Sequence, residues 1–170
     1  MPILLSFVAA AAAAQFNPAA PDNRQIIAAF NYGSLEAVLT SIGARHQRTS
    51  TNAARPELLV TFSNDRRAVV TLLSCNATGT ACKALGIQSS WERPPGVTPQ
   101  AAAEAAEQFN RRYSFAKAYV TTSGRLALQR YLTADYGFIR GNLAVNLLVF
   151  ASQADRFAND VVKRLETPAK

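Results

Sequence analysis

The stretch from Pro94 to Tyr119, PPGVTPQAAAEAAEQFNRRYSFAKAY, is where the pattern of the chain changes from strands to a helix. Its opening PPG breaks regular structure, Thr98 is a good N-cap, and Pro99 stands where the first turn of a helix tolerates proline. Apolar residues then recur at helical spacing, at Ala102, Ala105, Ala106 and Phe109. The stretch therefore predicts a helix that divides two groups of strands.

Upstream, the sequence predicts one helix and four strands. Ser34 can cap a helix that begins at Leu35 and stops at Gly43. Turn-forming residues then separate four runs with strand character, at residues 44–49, 57–63, 68–75 and 84–91. The third run contains AVVTLL, which is nearly all apolar and predicts a central strand that is covered on both sides or lies at an interface.

Downstream, the sequence predicts a hairpin and a long helix. The hairpin joins residues 115–121 to residues 126–133 through Gly124, which supplies a positive φ. A single apolar stripe then marks the helix, at Leu143, Leu147, Phe150, Ala154, Phe157, Val161 and Leu165. The predicted order is α-β-β-β(-β)-α-β-β-α. Because its helices and strands are grouped, the predicted class is α+β, with helices flanking an antiparallel sheet.

The N-terminus predicts export. Residues 1–14 form an uncharged apolar run that is too short to span a bilayer, has the length of a signal-peptide core and ends in small residues before Gln15. An Ala-rich leader or a buried helix is the alternative. We expect residues 15–33 to be a tether and lead-in and residues 34–167 to be a single domain. The cleaved protein would be periplasmic or secreted, without a transmembrane span.

The two cysteines of the chain, Cys75 and Cys82, lie in a stretch rich in Gly, Thr and Asn. Six residues separate them, so they can close a small loop that an oxidising compartment would keep closed. We therefore expect a structural disulfide, with unpaired core thiols as the main alternative. A metal site is poorly supported, because no second cysteine pair exists and the single histidine, His46, lies far upstream.

The net charge of +7, from 18 Lys and Arg against 11 Asp and Glu, favours acidic partners such as nucleic acid, anionic lipid or an acidic protein. The basic residues are scattered along the chain, however, which is more typical of a soluble surface with a positive balance. We therefore do not expect a dedicated nucleic-acid face.

No catalytic, cofactor-binding or metal-binding residue is predicted. The sequence lacks G-x-S-x-G and P-loop motifs, and His46 lies in the polar run RHQR, which suits a strand end better than a catalytic base. Glu104 and Glu107 share an exposed helix face beside Arg111, where they keep the helix solvated. The sequence therefore predicts a protein that is not an enzyme.

Aromatic and basic residues around the predicted hairpin form a candidate interface. Its members are Arg112, Tyr113, Phe115, Lys117, Tyr119, Arg130 and Tyr131. Aromatic and arginine side chains supply most interface hot spots, although alternate residues of any strand also face the core. Leu147 and Phe150 join the candidate interface, because the run LLVF is apolar all round and lies either under the sheet or in a dimer seam.

The segment from Gln108 to Tyr119, QFNRRYSFAKAY, resembles the signature of the YbjN domain family, in which a helix ends in Asn-Arg and an aromatic-led strand follows. The likeness covers most of residues 35–165, including the cysteine loop and the hairpin turn. It implies a fold similar to the type III secretion chaperones, frequent dimerisation and no established enzymatic activity. The chain departs from the family pattern after its last strand, where residues 131–138 carry one acid in place of an acidic run.

Together these features predict an exported, non-enzymatic protein-binding domain with chaperone- or adaptor-like behaviour and an unidentified protein partner. A homodimer is one expected form of assembly. Recognition would use a groove or a strand edge that accepts an extended segment. The alternative is an envelope protein that binds an anionic small ligand, lipid or glycan through its scattered arginines.

Overall fold

The computed structural model describes residues 16–50 and 52–167, so the predicted signal peptide at residues 1–14 lies outside the described residues. The regular elements, in chain order, are a 3-10 turn (Pro21–Arg24), β1 (Ile26–Ile27), α1 (Tyr32–Ser41), β2 (Arg45–Arg48), β3 (Glu57–Thr61), β4 (Arg67–Cys75), β5 (Cys82–Trp91), α2 (Pro99–Arg112), β6 (Lys117–Val120), β7 (Leu126–Thr133), β8 (Phe138–Ile139) and α3 (Arg140–Phe157). A π-helical turn, Ala158–Val162, continues α3 into α4 (Lys163–Glu166).

Six strands form an antiparallel sheet in the order β2-β3-β4-β5-β7-β6. The register places Leu58, Val70 and Ile87 side by side on one face, and all three are fully buried. The buried stripe of α3, which includes Leu147 and Phe150, belongs to the same apolar core. The predicted α+β class, with an antiparallel sheet and flanking helices, is confirmed.

Strand β4 is central, as the AVVTLL run predicted, but the described residues cover one of its faces fully and the other only in part. Ala68, Val70 and Leu72 are buried, whereas Val69 is 38% exposed on the opposite face. Every second side chain of a strand points away from the helices, and the described helices pack against one face of the sheet. Full cover on both sides is therefore not present in the described part of the chain.

Helix α1 begins earlier than the sequence predicted, because its N-cap is Asn31 rather than Ser34. Ser34 N–H donates to Asn31 Oδ1 at 2.9 Å, and Asn31 N–H donates to the Ser34 hydroxyl at 3.2 Å. This reciprocal pair is a capping box, which satisfies two backbone donors at the start of the helix. Ser34 therefore has a capping role, but from the third position inside the helix.

Helix α2 forms as the sequence predicted, and the following hairpin is present, but its first strand begins at Lys117 rather than at residue 115. Thr98 accepts a hydrogen bond from Ala101 N–H at 3.1 Å, and Pro99 begins the helix. In the hairpin, Gly124 has a φ of 80°, which glycine adopts without steric cost. The helix therefore separates the two groups of strands.

The lead-in before α1 is part of the folded domain. Phe30 is fully buried, and its N–H and C=O both pair with Cys82 at 2.9 Å. Strand β1 pairs with β8, which places Ile26 opposite Ile139 in a separate two-stranded ribbon. Neither strand of this ribbon was predicted, since two residues give no periodicity.

The C-terminal helix buries the predicted stripe from Leu143 to Val161, and Leu165 is partly buried. Trp91 and Phe109 pack on Phe157 of this stripe, with ring centroids at 5.1 and 5.0 Å. In the described part of the chain, no helix has both the length and the apolar character needed to cross a membrane.

Candidate functional site

An open cleft of about 540 Å³ lies where the end of α2 meets strands β6 and β7. It is lined by Asn110, Tyr113, Ser114, Phe115, Ala116, Lys117, Gln129, Arg130 and Tyr131. We call it the basic cleft, because its lining contains a lysine and an arginine but no Asp or Glu. It brings together most of the candidate interface, namely Tyr113, Phe115, Lys117, Arg130 and Tyr131.

On one side of the cleft, the edge of β6 is closed by a side chain from α2. The amide oxygen of Asn110 accepts from Ala118 N–H at 2.7 Å, and Asn110 Nδ2 donates to Ala118 O at 2.9 Å. Thr121 N–H donates to Arg125 O, so the odd-numbered residues of β6 form the hydrogen bonds to β7. Ala118 is even-numbered, so its backbone N–H and C=O point away from β7. An incoming strand therefore finds those groups already occupied.

The neighbouring strand β7 extends beyond β6 and leaves its own edge open at Tyr131. Strand β6 pairs with β7 only as far as Gln129. Ala134 N–H donates to Lys83 O, so the backbone groups of the even-numbered residues of β7 point toward β5. Tyr131 is odd-numbered, so its N–H and C=O point to the opposite side, where β6 has ended. Among the described residues, these two groups form no hydrogen bond with a backbone group outside the sheet. An extended segment can pair with the sheet at this point.

Arg130 is held in place beside this open edge. Its guanidinium lies over the Phe115 ring, 4.3 Å from the centroid, and its Nη1 donates to Phe115 O at 2.6 Å. The cation–π contact and the hydrogen bond restrict the side chain before any ligand arrives. The cleft therefore offers a positioned guanidinium next to free backbone groups.

The remaining candidate interface residues lie elsewhere. Tyr119 donates its hydroxyl hydrogen to Gln88 Oε1 at 2.9 Å on the uncovered face of the sheet. Arg112 lines a different cleft. Leu147 and Phe150 are fully buried, which corresponds to the alternative of packing under the sheet. These two side chains cannot contact a partner while the core is intact.

The cleft that Arg112 lines is smaller, about 300 Å³, and lies between α2 and the C-terminal turns. Its charged lining residues are Glu104, Arg112, Asp160 and Arg164, so the two signs balance. Arg164 already contacts Asp160 at 3.9 Å. This cleft therefore lacks the uncompensated charge of the basic cleft.

The opposite edge of the sheet, β2, is also basic, but its arginines have acidic partners. Arg48 donates to Glu36 at 2.6 and 2.8 Å, which holds the pKa of Glu36 below its ordinary value. Arg45 lies 3.7 Å from Asp65. The positive charge at β2 is therefore partly compensated, unlike that at the basic cleft.

The two cysteines form a disulfide between opposite residues of β4 and β5. The Asn76 side chain organises the loop that they close, accepting from the N–H groups of Thr80 and Ala81 at 2.9 and 3.2 Å. Within the described residues, no group of three His, Cys, Asp or Glu side chains is arranged to hold a metal ion.

A family profile with the description "Putative bacterial sensory transduction regulator", named YbjN, matches residues 31–162. This match spans most of the chain and begins at the Asn31 cap of α1. The chain belongs to the YbjN family. The resemblance carried by the segment from Gln108 to Tyr119 is therefore confirmed, whereas no curated protein matches the chain.

In this YbjN domain, the signature segment forms one wall of the basic cleft. It contains the end of α2, the loop that carries Phe115, and strand β6. The signature contains an Asn at the end of a helix and a strand directly after it. The two hydrogen bonds between Asn110 and Ala118 give a physical reason for this combination. The same segment also contains Arg111, which donates to Glu107 at 2.9 Å as the helical spacing predicted.

Sequence reasoning missed four residues that line the basic cleft: Asn110, Ser114, Ala116 and Gln129. The hydrogen bonds of Asn110 depend on how α2 packs beside β6, which the sequence pattern does not state. The sequence does carry a local signal, which is an Asn near the end of a helix and eight residues before a residue of the next strand. The side chain of an Asn in this position can close the edge of that strand.

Proposed function

We propose that this YbjN protein is an exported, non-enzymatic adaptor that holds an extended segment of a partner protein in the basic cleft. The observation that carries the proposal is the open edge at Tyr131. Its backbone groups would pair with one residue of the segment, which then continues the sheet where β6 ends. The aromatic rings of Phe115 and Tyr131 would supply apolar contact on the two sides of the segment.

The family description supports a binding role, since it names a regulator of sensory transduction and no reaction. Asn110 adds to this support because it limits where a partner strand can bind. With the Ala118 groups occupied, a partner strand cannot pair continuously along β6, whereas the backbone groups of Tyr131 are open to it. A short and defined docking point suits an adaptor better than open-ended strand addition, which leads to aggregation.

Export is part of the proposal and is supported by two features. The apolar run at residues 1–14 has signal-peptide character. The disulfide between Cys75 and Cys82 suits an oxidising compartment, because cytosolic thiols are kept reduced. The mass of the protein from the periplasm or the culture medium tests this, and a chain that begins at Gln15 is the expected result.

Co-purification after reversible cross-linking in living cells tests the proposed function. The cleft variant Lys117→Gln/Tyr131→Ser removes an exposed lysine and an exposed tyrosine from the cleft. Its matched control, Lys163→Gln/Tyr136→Ser, removes the same two residue types from exposed positions that do not line the cleft. We expect the wild type and the control to retain the same partner protein and the cleft variant to lose most of it.

Equal retention by the cleft variant and the control would contradict the proposal. If the wild type captured no protein at all, the alternative of an anionic small ligand, lipid or glycan would replace the adaptor. The basic cleft supports that alternative too, because its lining has no carboxylate.

A further inference from the structure

We infer that the partner segment presents an Asp or Glu side chain to Lys117 on one face of the sheet, or to Arg130 on the other, when it pairs with Tyr131. The inference deepens the proposed function and rests on it, since it assigns the chemistry of the residue that enters the basic cleft. It does not follow from pairing with Tyr131, because backbone pairing alone is indifferent to the side chain.

The first support is the charge of the cleft wall. Lys117 and Arg130 line the cleft together, and neither forms an ion pair within the described residues. By contrast, Arg66 and Arg125 contact Asp155 and Glu92 at other places on the molecule. Two cations in a wall without carboxylates create a positive potential that favours an anion and disfavours a basic residue.

The second support is the hydrogen bonding of Arg130. Its Nη1 is used by Phe115 O, but its Nε is buried and has no hydrogen-bond partner among the described residues. A buried donor without an acceptor costs free energy, and a guanidinium normally satisfies a carboxylate through two parallel bonds. A carboxylate that enters the cleft can accept hydrogen bonds from the guanidinium N–H groups that Phe115 O does not use.

The third support is the register of the strands. Tyr131 is two residues beyond Gln129, which pairs with Lys117, so Tyr131 and Lys117 face the same side of the sheet. Arg130 faces the other side. The residue that pairs with Tyr131 therefore directs its side chain toward Lys117, and its neighbours direct theirs toward Arg130. An acid at either of these adjacent positions has a cation within reach, whichever way the segment enters.

The test compares two peptides that differ only in charge. The probes are the amides of acetyl-Gly-Val-Glu-Val-Glu-Val-Gly and of the same peptide with Gln in place of Glu. Their binding to the oxidised, nitrogen-15-labelled protein is followed by chemical shifts at the amides of Lys117, Gln129 and Tyr131. We expect the Glu peptide to bind about tenfold or more tightly than the Gln peptide at low salt, and the difference to shrink at about 0.5 M NaCl.

Variants locate the effect. Lys117→Gln should reduce the preference for the Glu peptide, and Lys163→Gln, which removes an exposed lysine outside the cleft, should leave it unchanged. Arg130→Lys retains the charge but loses the planar fork, so it should reduce the preference as well. Lys117 is exposed, and its removal is not expected to disturb folding, which keeps the test valid if the Arg130 variant unfolds.

Two results would overturn the inference. If both peptides shift Tyr131 with the same affinity, the cleft accepts a segment without an acid, and the proposed adaptor function stands while the inference fails. If the Glu peptide leaves Tyr131 unchanged at millimolar concentration, or binds Lys117→Gln and Arg130→Lys as tightly as it binds the wild type, the acidic residue is not recognised at this cleft. Co-purification from cells then decides separately whether a partner of another chemistry uses the cleft.

Discussion

At the scale of single residues, Asn110 has the largest consequence for the site. Its side chain reproduces the donor and acceptor of a neighbouring strand and so ends the sheet at Ala118. Natural proteins protect strand edges with charges, prolines or covering elements. In this protein the cover is one amide from α2, which leaves the adjacent edge at Tyr131 free for recognition.

The first prediction concerns this amide. Asn110→Ala should lower the free energy of unfolding by about 2 kcal/mol, because two hydrogen bonds to the buried residue Ala118 are lost. Urea denaturation measures the change. Gln108→Ala, an exposed position on the same helix, should change stability by less than about 0.5 kcal/mol. Equal stability of the two variants would show that water replaces Asn110 without cost.

The second prediction compares two glycines with similar backbone angles. Gly79 and Gly124 have φ values of 70° and 80°, so an alanine at either position costs about 1 to 2 kcal/mol of strain. A Cβ at Gly79 would also lie 2.6 Å from Ala53 O, whereas a Cβ at Gly124 meets no atom within 4 Å. Gly79→Ala should therefore lower the thermal midpoint clearly more than Gly124→Ala. Equal shifts would mean that the loop around Ala53 moves freely.

At the scale of elements, the hairpin of β4 and β5 connects the sheet to the lead-in. The disulfide links opposite residues of the two strands, and Phe30 pairs with Cys82 on the other side of β5. The bond therefore fixes both the hairpin and the position at which residues 26–33 join the domain.

The third prediction follows from this hairpin. Cys75→Ala/Cys82→Ala should lower the free energy of unfolding by about 2.5 kcal/mol, the value that the loop-entropy relation gives for a separation of 7 residues. The comparison is made in urea, with and without a reducing agent. Reduced wild type serves as the control and should approach the variant. A free thiol in the folded, oxidised wild type would refute the pairing.

The fourth prediction concerns the contact between α1 and β2. Arg48 lowers the pKa of Glu36, so the folded state binds fewer protons than the unfolded state near that pKa. The stabilisation is therefore present above the unfolded pKa, about 4.3, and is lost as the pH falls through the folded pKa. The stability difference between wild type and Arg48→Gln should be largest near pH 7 and should shrink below about pH 4.

Urea denaturation at several pH values measures this difference. The stacking of Arg48 on Tyr32 contributes equally across the acid range, so it does not change the slope. Arg45→Gln is the control, because the pair of Arg45 and Asp65 is highly exposed and should contribute nothing measurable. A difference for Arg48→Gln that is constant with pH would contradict the assignment to Glu36.

The elements themselves were predictable where local chemistry determines them. Thr98, Pro99 and Gly124 act through their own side chains or backbone angles, and the helix and turn that they indicate are present. The cap of α1 was assigned to Ser34, because Asn31 and Ser34 carry similar signals and only packing decides between them. The π-helical turn after α3 was not predicted, because the apolar stripe was interpreted as one continuous helix.

At the scale of the whole molecule, the distribution of the +7 charge says more about partners than its size does. The arginines of β2 and Arg164 of the C-terminal turns contact acids, whereas Lys117 and Arg130 line a cleft without carboxylates. The composition predicted acidic partners in general terms. Among the described residues, the fold places two of the unpaired cations at one cleft without an acid.

The site was predictable in part, for reasons visible in its residues. The aromatic and basic residues of the hairpin were predicted to form an interface, because such residues are typical of interfaces. Most of them line the basic cleft. Leu147 and Phe150 carry an equally apolar pattern but lie in the core. The free backbone groups of Tyr131 were beyond prediction, because they depend on where β6 stops relative to β7.

The central claim is that a partner protein binds at the basic cleft, and site-specific photo-cross-linking in living cells tests it most directly. Benzoylphenylalanine would replace Tyr131, which is 53% exposed in the cleft, and in a parallel strain Tyr136, which is fully exposed outside it. We predict that position 131 yields a discrete adduct with another protein and that position 136 does not. The same adducts from both positions, or none from position 131 while the folded protein is present, would contradict the account.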